Sequence, residues 1–261
     1  MTVSRARESR RPPPSGTAFI RLLAALNDVQ VPESNEAFAQ RLSRWVEWTD
    51  AIPLSEALAN PSTRTQDAGS AASMLVNADE REFRRVRAAL AKLAQPPAAA
   101  STDRATSRRT ASPQLATPDA PDDFSPHRRR YIAAQQAMEA NITPLRRRLR
   151  SSLTDASAAQ ARLAALDAVM EQVVGARERE LLATVPRRLE RRFEQLRQDH
   201  LAAQADVPAP DNTPGTPFEP DAWLATFHQD MRALLLAELD LRMQPVEGLL
   251  EALRGSPPGS P

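Results

Sequence analysis

Three long stripes of apolar residues with helical spacing run through the C-terminal half of the chain, and one proline interrupts each stripe. These prolines are Pro144 in NITPLRRRL, Pro186 in ATVPRRLERRF and Pro245 in RMQPVEGLL. A proline inside a helix costs about 3 kcal/mol, so each must either kink a helix or end it. Because the apolar positions keep steps of three and four residues across every proline, the pattern favours continuous, kinked helices. A turn remains the alternative, above all at Pro144, where Thr143 could cap a new helix.

The three stripes predict a C-terminal bundle of long helices. The first helix starts at FSPHRRRY, with Ser125 as the N-cap and Pro126 at the first helical position. The second spans about 158–204 and the third about 221–253. The second would be roughly 70 Å long, which exceeds the needs of a compact domain. We therefore expect its first half to lie antiparallel to the first helix and its second half antiparallel to the third.

The N-terminal half is also helical by pattern, since strand alternation is almost absent. Apolar stripes predict helices at 16–27, from Asn35 to Pro53, and at 78–93. Segments rich in Pro, Ser, Thr and Ala separate the helical parts and have the composition of disordered linkers. The sequence thus predicts an all-α fold with a disordered tail at 1–14, an N-terminal helical module at 15–94, a disordered linker at 95–122, a bundle of Pro-kinked antiparallel helices at 123–254 with a flexible loop at 205–220, and a disordered tail at 255–261.

Charge is unevenly distributed along a chain whose net charge is only +1. Residues 127–204 carry 15 basic and 9 acidic side chains, whereas residues 205–261 carry 3 basic and 9 acidic ones. The first of these windows is therefore +6 and the second −6. Since opposite charges attract, the acidic third helix of the bundle is expected to lie along the basic part of the second helix.

Residues that could perform chemistry form no recognisable motif. The chain has no cysteine, no Gly-rich phosphate loop, and three histidines, His127, His200 and His228, which are far apart and predicted to be solvated or capping. Carboxylates at helical spacing, such as Asp167 and Glu171, fit a salt-bridged helix face. We expect no enzymatic activity, no metal and no cofactor. The apolar runs are too short to span a membrane and Arg21 interrupts the signal-like N terminus, so we expect a cytoplasmic protein without membrane insertion.

Seven side chains are candidate partner contacts. Two tryptophans three residues apart more often pack in a core than anchor a partner, and a basic run at a helix start opposes the helix macrodipole. On a helical wheel, the arginines around Leu189 fall on three sides of the helix with acids between them, which argues against nucleic-acid binding. The candidates are Trp45, Trp48, Arg128, Arg129, Arg130, Arg188 and Arg192.

Five strings carry a resemblance to a known family: TAFIRLLAAL, VPESNEAFAQRLSRWVEWTDAIPLSEAL, YIAAQQAMEANITPLRRRLR, LAALDAVMEQVVGARERELLATVPRRLERRFEQLR and LLAELDLRMQPVEGLLEALR. Together they resemble the proteobacterial family named domain of unknown function 3348. Its motifs are helical packing patterns, so the resemblance implies no catalytic residues. Members tend to be encoded near stator-like proton-channel proteins and peptidoglycan-binding outer-membrane-protein-A-like proteins. The resemblance thus implies an accessory role beside a cell-envelope stator-like complex.

Three classes of function remain open from the sequence. The leading hypothesis is a non-enzymatic helical scaffold or adaptor that binds protein partners. The alternative is nucleic-acid binding through the arginines of 146–150 and 187–197, and an enzyme without a local motif is the third. Because the second bundle helix is too long to be covered by the first and third, self-association into a homo-oligomer is a further expectation.

Overall fold

The computed structural model describes residues 18–26, 48–59, 69–95, 123–205 and 222–255. All regular structure in these ranges is helical, which confirms the all-α prediction. The predicted tail at 1–14, residues 96–122 of the first linker, residues 206–220 of the predicted loop at 205–220, and residues 256–261 of the predicted C-terminal tail lie outside the described residues. The helices are α1 (Ala18–Ala25), α2 (Trp48–Ala59), α3 (Gly69–Leu93), α4 (Ser125–Ala156), α5 (Ala158–Leu182), α6 (Val185–Ala205) and α7 (Ala222–Arg254).

Helices α4, α5, α6 and α7 form the predicted bundle. α4 and α7 run parallel, because Phe124 lies against Phe227 at one end and Tyr131 bonds to Glu238 further along. α5 and α6 run antiparallel to both. Asp167 of α5 pairs with α4, while the amide of Gln135 donates to the carbonyl of Leu182. The two predicted antiparallel pairings, α5 against α4 and α6 against α7, are confirmed.

Helix α3 is the fifth long helix in the part of the chain that the structure describes. It packs against α4 and α7 and runs antiparallel to both, since Asp79 near its start contacts Arg148 and Gln95 beyond its end contacts Arg130. α1 packs on α7 and α2 packs on α5. Phe19 of α1 and Leu90 of α3 belong to the same apolar core as the bundle helices. The limits of the predicted N-terminal module stay a prediction.

Helix α7 is the centre of the core because its apolar residues surround most of its circumference. Its buried side chains face α4, α3, α6 and α1 in turn. Each large apolar side chain removed from water contributes about 1.5–3 kcal/mol, so this helix anchors the others. The fully or almost fully buried residues are Phe227, Met231, Leu234, Leu235, Leu239, Met243, Val246, Leu249 and Leu250.

The three prolines behave in two ways. α4 continues through Pro144 and α7 continues through Pro245, so the prediction of continuous helices is confirmed there. At Pro186 the prediction is wrong: α5 ends at Leu182, and α6 begins at Val185 after a two-residue turn. Pro186 is the second residue of α6, where a backbone N–H has no partner within the helix, so its missing donor removes no hydrogen bond.

Other helix boundaries also differ from the prediction. The N-cap of α4 is Phe124 rather than Ser125, and the carboxylate of Asp123 accepts a 2.8 Å hydrogen bond from the Ser125 amide. α2 continues through Pro53 to Ala59. Only Ser157 separates α4 from α5.

Candidate functional site

A groove lined by four arginines opens on the surface of α6. It has a volume of about 360 Å³. We call it the arginine groove. It starts at the turn between α5 and α6 and is closed on one side by Leu26, the residue after α1. Its lining residues are Leu26, Thr184, Arg187, Arg188, Arg191, Arg192 and Gln195.

The local sequence explains why the arginines share one groove. Val185, Leu189 and Phe193 of α6 are buried against the core, so the opposite side of this helix faces solvent. At about 100° per residue, the four arginines span an arc of roughly 140°. On the helical wheel these four occupy one flank and the rear of α6, and Arg197 supplies the third side.

The electrostatics of the arginine groove are dominated by unpaired positive charge. Only Arg192 has an ion pair in the described part of the chain: its Nε lies 3.0 Å from Oδ2 of Asp230 on α7. Arg187, Arg188 and Arg191 are exposed and make no ion pair with the residues that the structure describes. The described lining of the groove also contains no carboxylate. The described lining of the groove is thus positively charged.

The other candidate contacts lie elsewhere. Arg128 and Arg129 are exposed at the start of α4, and Arg130 donates to the backbone carbonyl of Gln95 beside α3. Partial burial lowers the pKa of Arg130. Trp48 is the first residue of α2, and Trp45 lies outside the described residues. The structure therefore brings Arg188 and Arg192 together and adds Arg187 and Arg191.

Two of the four arginines of 146–150, Arg146 and Arg150, face inward. Arg146 and Arg150 of α4 both donate to the carboxylate of Asp167 on α5, at N–O distances of 2.6 Å, and both also pair with Glu171. Burial raises the pKa of Asp167, but the hydrogen bonds and positive charges of the two arginines outweigh it and hold that pKa below its usual value. This part of the basic sequence is neutralised inside the fold.

Two further carboxylates are buried, and each accepts hydrogen bonds from side chains of another helix. Asp79 of α3 is 1% exposed and accepts from Arg148 at 2.7 Å and from the Ser152 hydroxyl at 2.9 Å. Glu238 of α7 is fully buried and accepts from the hydroxyl of Tyr131 at 2.6 Å. Buried charges are tolerated when they are paired in this way. Both side chains hold helices together, and neither lines the arginine groove.

Aromatic rings close one end of the bundle. Phe193 of α6 and Phe227 of α7 have ring centroids 5.0 Å apart, and the rings of His127 and His228 lie 5.1 Å from each other at the edge of this cluster. Burial, and then the charge of Arg130, lower the pKa of His228. The prediction of solvated or capping histidines is wrong for His127 and His228, because helix pairing brings two distant sequence positions into one aromatic cluster.

Some apolar side chains remain exposed along α5 and α6, among them Leu163, Leu181 and Leu201. A second, shallower groove of about 250 Å³ lies between α2 and α5 and is lined by Pro53, Glu56, Ala57, Ala161, Arg162, Ala165 and Val169. Among the described residues, no cluster of three or more His, Asp or Glu side chains could hold a metal ion. Within the same ranges, no helix combines the length and apolar character needed to cross a membrane.

These features define an all-α bundle protein with a basic surface groove. The chain belongs to the family described as "Protein of unknown function (DUF3348)", which matches residues 5–255. The resemblance noted in the sequence is thereby confirmed. No curated protein and no solved structure matches the chain.

Proposed function

We propose that this protein is a helical scaffold or adaptor that binds another protein through the arginine groove. Three exposed guanidinium groups without an ion pair in the described chain carry this proposal. Arg146 and Arg150, which face the interior of the same fold, are both matched to carboxylates. A surface that leaves three neighbouring cations unmatched is suited to receive its negative charge from a partner.

Exposed apolar residues beside the groove support the same proposal. Leu181 is 54% exposed and lies three residues before Thr184, which lines the groove. An apolar side chain next to a charged cluster resembles a protein interface, in which a few apolar anchors are rimmed by polar contacts. Leu163 and Leu201 extend the exposed apolar positions along α5 and α6 and are where a homo-oligomer would form.

Nucleic-acid binding is the second candidate function, and the cluster of Arg187, Arg188 and Arg191 favours it. Against it, Arg146, Arg148 and Arg150 of the other basic segment pair with carboxylates of this chain. A gel-retardation assay at increasing salt concentration tests it. Binding through several phosphates must weaken steeply as salt rises, so a salt-insensitive complex or no complex argues against this function.

We also propose where the adaptor acts. An adaptor of this family would work in the cytoplasm as an accessory of a cell-envelope stator-like complex, as the genomic neighbourhood of the family suggests. Isolation of membranes from cells that produce the full chain tests this location. An accessory subunit sediments with membranes only when its partner is present, whereas the protein alone stays in the supernatant.

Site-specific photocrosslinking tests the adaptor function. A photoreactive amino acid placed at Gln195, in the groove, should crosslink one protein species in the native host. The matched control carries the photoreactive amino acid in place of Arg232, which is exposed on α7 and outside the groove lining. This control should not give that product. No specific product from Gln195, or a product removed by nuclease, contradicts the proposal.

A further inference from the structure

The arrangement of arginines in the groove indicates the chemistry of its ligand. Arg187 and Arg191 form one pair along α6, and Arg188 and Arg192 form a second. Residues four apart on a helix stand one above the other, about 6 Å along its axis. The groove therefore presents two rows of guanidinium groups with a spacing of one helical turn.

We propose that the arginine groove binds an acidic helical segment of a partner protein, one with two carboxylates four residues apart. Carboxylates at that spacing also project from one face of a helix about 6 Å apart. Each can then accept paired hydrogen bonds from one guanidinium of the same row, the geometry in which arginine and carboxylate bind most strongly. This proposal rests on the adaptor function and specifies the partner surface.

Two observations favour a peptide over a nucleic acid. The groove has a volume of about 360 Å³, which suits a few side chains. Leu26 gives the wall an apolar contact that a carboxylate-bearing helix can use through its methylene groups.

Fluorescence anisotropy with the full chain tests the proposal directly. The first probe is a labelled alanine-rich helical peptide with two Glu-x-x-x-Glu pairs. The second has the same composition but Glu-x-Glu spacing, which places the carboxylates on different faces. The third is a labelled single-stranded oligonucleotide. The first probe should bind about tenfold more tightly than the second, the difference expected from one well-formed interaction of charged groups.

Charge-reversal variants locate the binding. The double variant Arg188→Glu and Arg191→Glu should weaken binding of the first probe at least about tenfold. The control variant Arg147→Glu and Arg232→Glu has the same change of charge at exposed positions outside the groove and should bind like the unmodified chain. Circular dichroism must show equal helicity in both. If the groove variant is less helical, Arg188→Gln and Arg191→Gln replace it.

The outcomes separate this inference from the adaptor function. Equal binding of both peptides, equal loss in both variants, or tightest binding of the oligonucleotide overturns the acidic-helix proposal. If photocrosslinking at Gln195 still captures one protein, the adaptor function survives that failure. If the first probe binds as expected but no cellular protein crosslinks, the groove has the proposed specificity and the adaptor function is wrong.

Discussion

The hydroxyl of Tyr131 donates a 2.6 Å hydrogen bond to the carboxylate of Glu238, and both side chains are fully buried between α4 and α7. The side-chain amide of Gln135 donates to the same carboxylate at 3.1 Å, and the guanidinium of Arg242 forms an ion pair with it at 2.9 Å. A shift of α4 by one turn along α7 would leave this charge without its partners from α4. The network therefore fixes the register of the two central helices.

Removal of Glu238 should destabilise the fold strongly. Glu238→Ala leaves Arg242 and Tyr131 without their buried acceptor and should lower the free energy of unfolding by about 3 kcal/mol, measured by urea denaturation. Glu251→Ala, at an exposed position of the same helix, is the control and should change it by less than about 0.5 kcal/mol. Equal stability of the two variants would show that the network contributes nothing.

Tyr131 should also make the fold sensitive to alkali. Burial raises the pKa of Tyr131, and the nearby charge of Glu238 and the hydrogen bond to it raise it further. The unfolded chain loses this proton at about pH 10 while the folded chain keeps it, so stability falls as pH rises above that value. Tyr131→Phe should lose this dependence, although removing the hydroxyl also removes a hydrogen bond.

The titration itself can be observed, because Tyr131 is the only tyrosine of the chain. Tyrosinate absorbance in the ultraviolet should stay absent from the folded protein above about pH 10 and appear only with unfolding. In urea the same group should titrate normally. Ionisation of the folded protein near its ordinary pKa would contradict the buried position of this hydroxyl.

Asp167 should have the opposite pH dependence. Its pKa is lowered in the folded state because Arg146 and Arg150 outweigh the effect of burial. Stability from this group is therefore complete above the unfolded pKa of about 3.9 and is lost as pH falls through the lower folded value. Asp167→Asn should cost about 3 kcal/mol at neutral pH and flatten the acid limb of the stability curve.

A matched control for Asp167 is Asp240, which pairs with Arg87 but has a 58% exposed side chain. Because exposed ion pairs contribute little, Asp240→Asn should cost no more than about 1 kcal/mol. Denaturation with urea at several pH values measures both variants. Similar costs for the two would mean that the Asp167 cluster is screened by solvent.

The ion pair between Arg192 and Asp230 tests the charge match between α6 and α7. In a double-mutant cycle with Arg192→Glu and Asp230→Arg, the swapped pair should recover about 1 kcal/mol relative to the sum of the single variants. The exposed pair Arg177 and Glu180 serves as control and should show a coupling of about 0.5 kcal/mol or less. Absence of coupling in the first pair would contradict pairing across α6 and α7.

Local periodicity was sufficient to predict the bundle from sequence. The stripes around Met138, Phe193 and Met231 identify α4, α6 and α7, and the opposite charges of 127–204 and 205–261 anticipate the pair of Arg192 with Asp230. The arginine groove was only half predicted. Its wall at Leu26 belongs to a helix far away in sequence, and no periodic pattern states which helices meet.

Buried polar contacts were not predictable either, because they depend on pairs of helices. Glu238 lies within an apolar stripe, where its charge gives no sign of the partner on α4. One polar contact does have a sequence signal. Ser157 and Gln160 have the spacing of a capping box, and the Ser157 hydroxyl accepts a hydrogen bond from the backbone N–H of Gln160 at 3.2 Å. That motif marks the start of α5.

The prolines show how a stripe can conceal a break. A two-residue turn at 183–184 leaves Leu182, Val185 and Leu189 all buried, so the phase of the stripe looks continuous although the helix ends.

Proline substitutions distinguish a continuous helix from a broken one. Pro144 is exposed inside α4, and an amide at that position can bond to the carbonyl of residue 140. Pro144→Ala should therefore raise the free energy of unfolding by about 1–2 kcal/mol.

Pro186→Ala should not stabilise the protein. An amide in the first turn of α6 has no carbonyl to bond to, and the buried proline ring loses packing contacts. Its free energy of unfolding should stay equal or fall by up to about 1 kcal/mol, measured beside Pro144→Ala by urea denaturation followed through tryptophan fluorescence. Only an amide in the interior of a helix can form a new hydrogen bond when proline is replaced. If Pro186→Ala gained as much stability as Pro144→Ala, the helix would therefore have to be unbroken across 183–184.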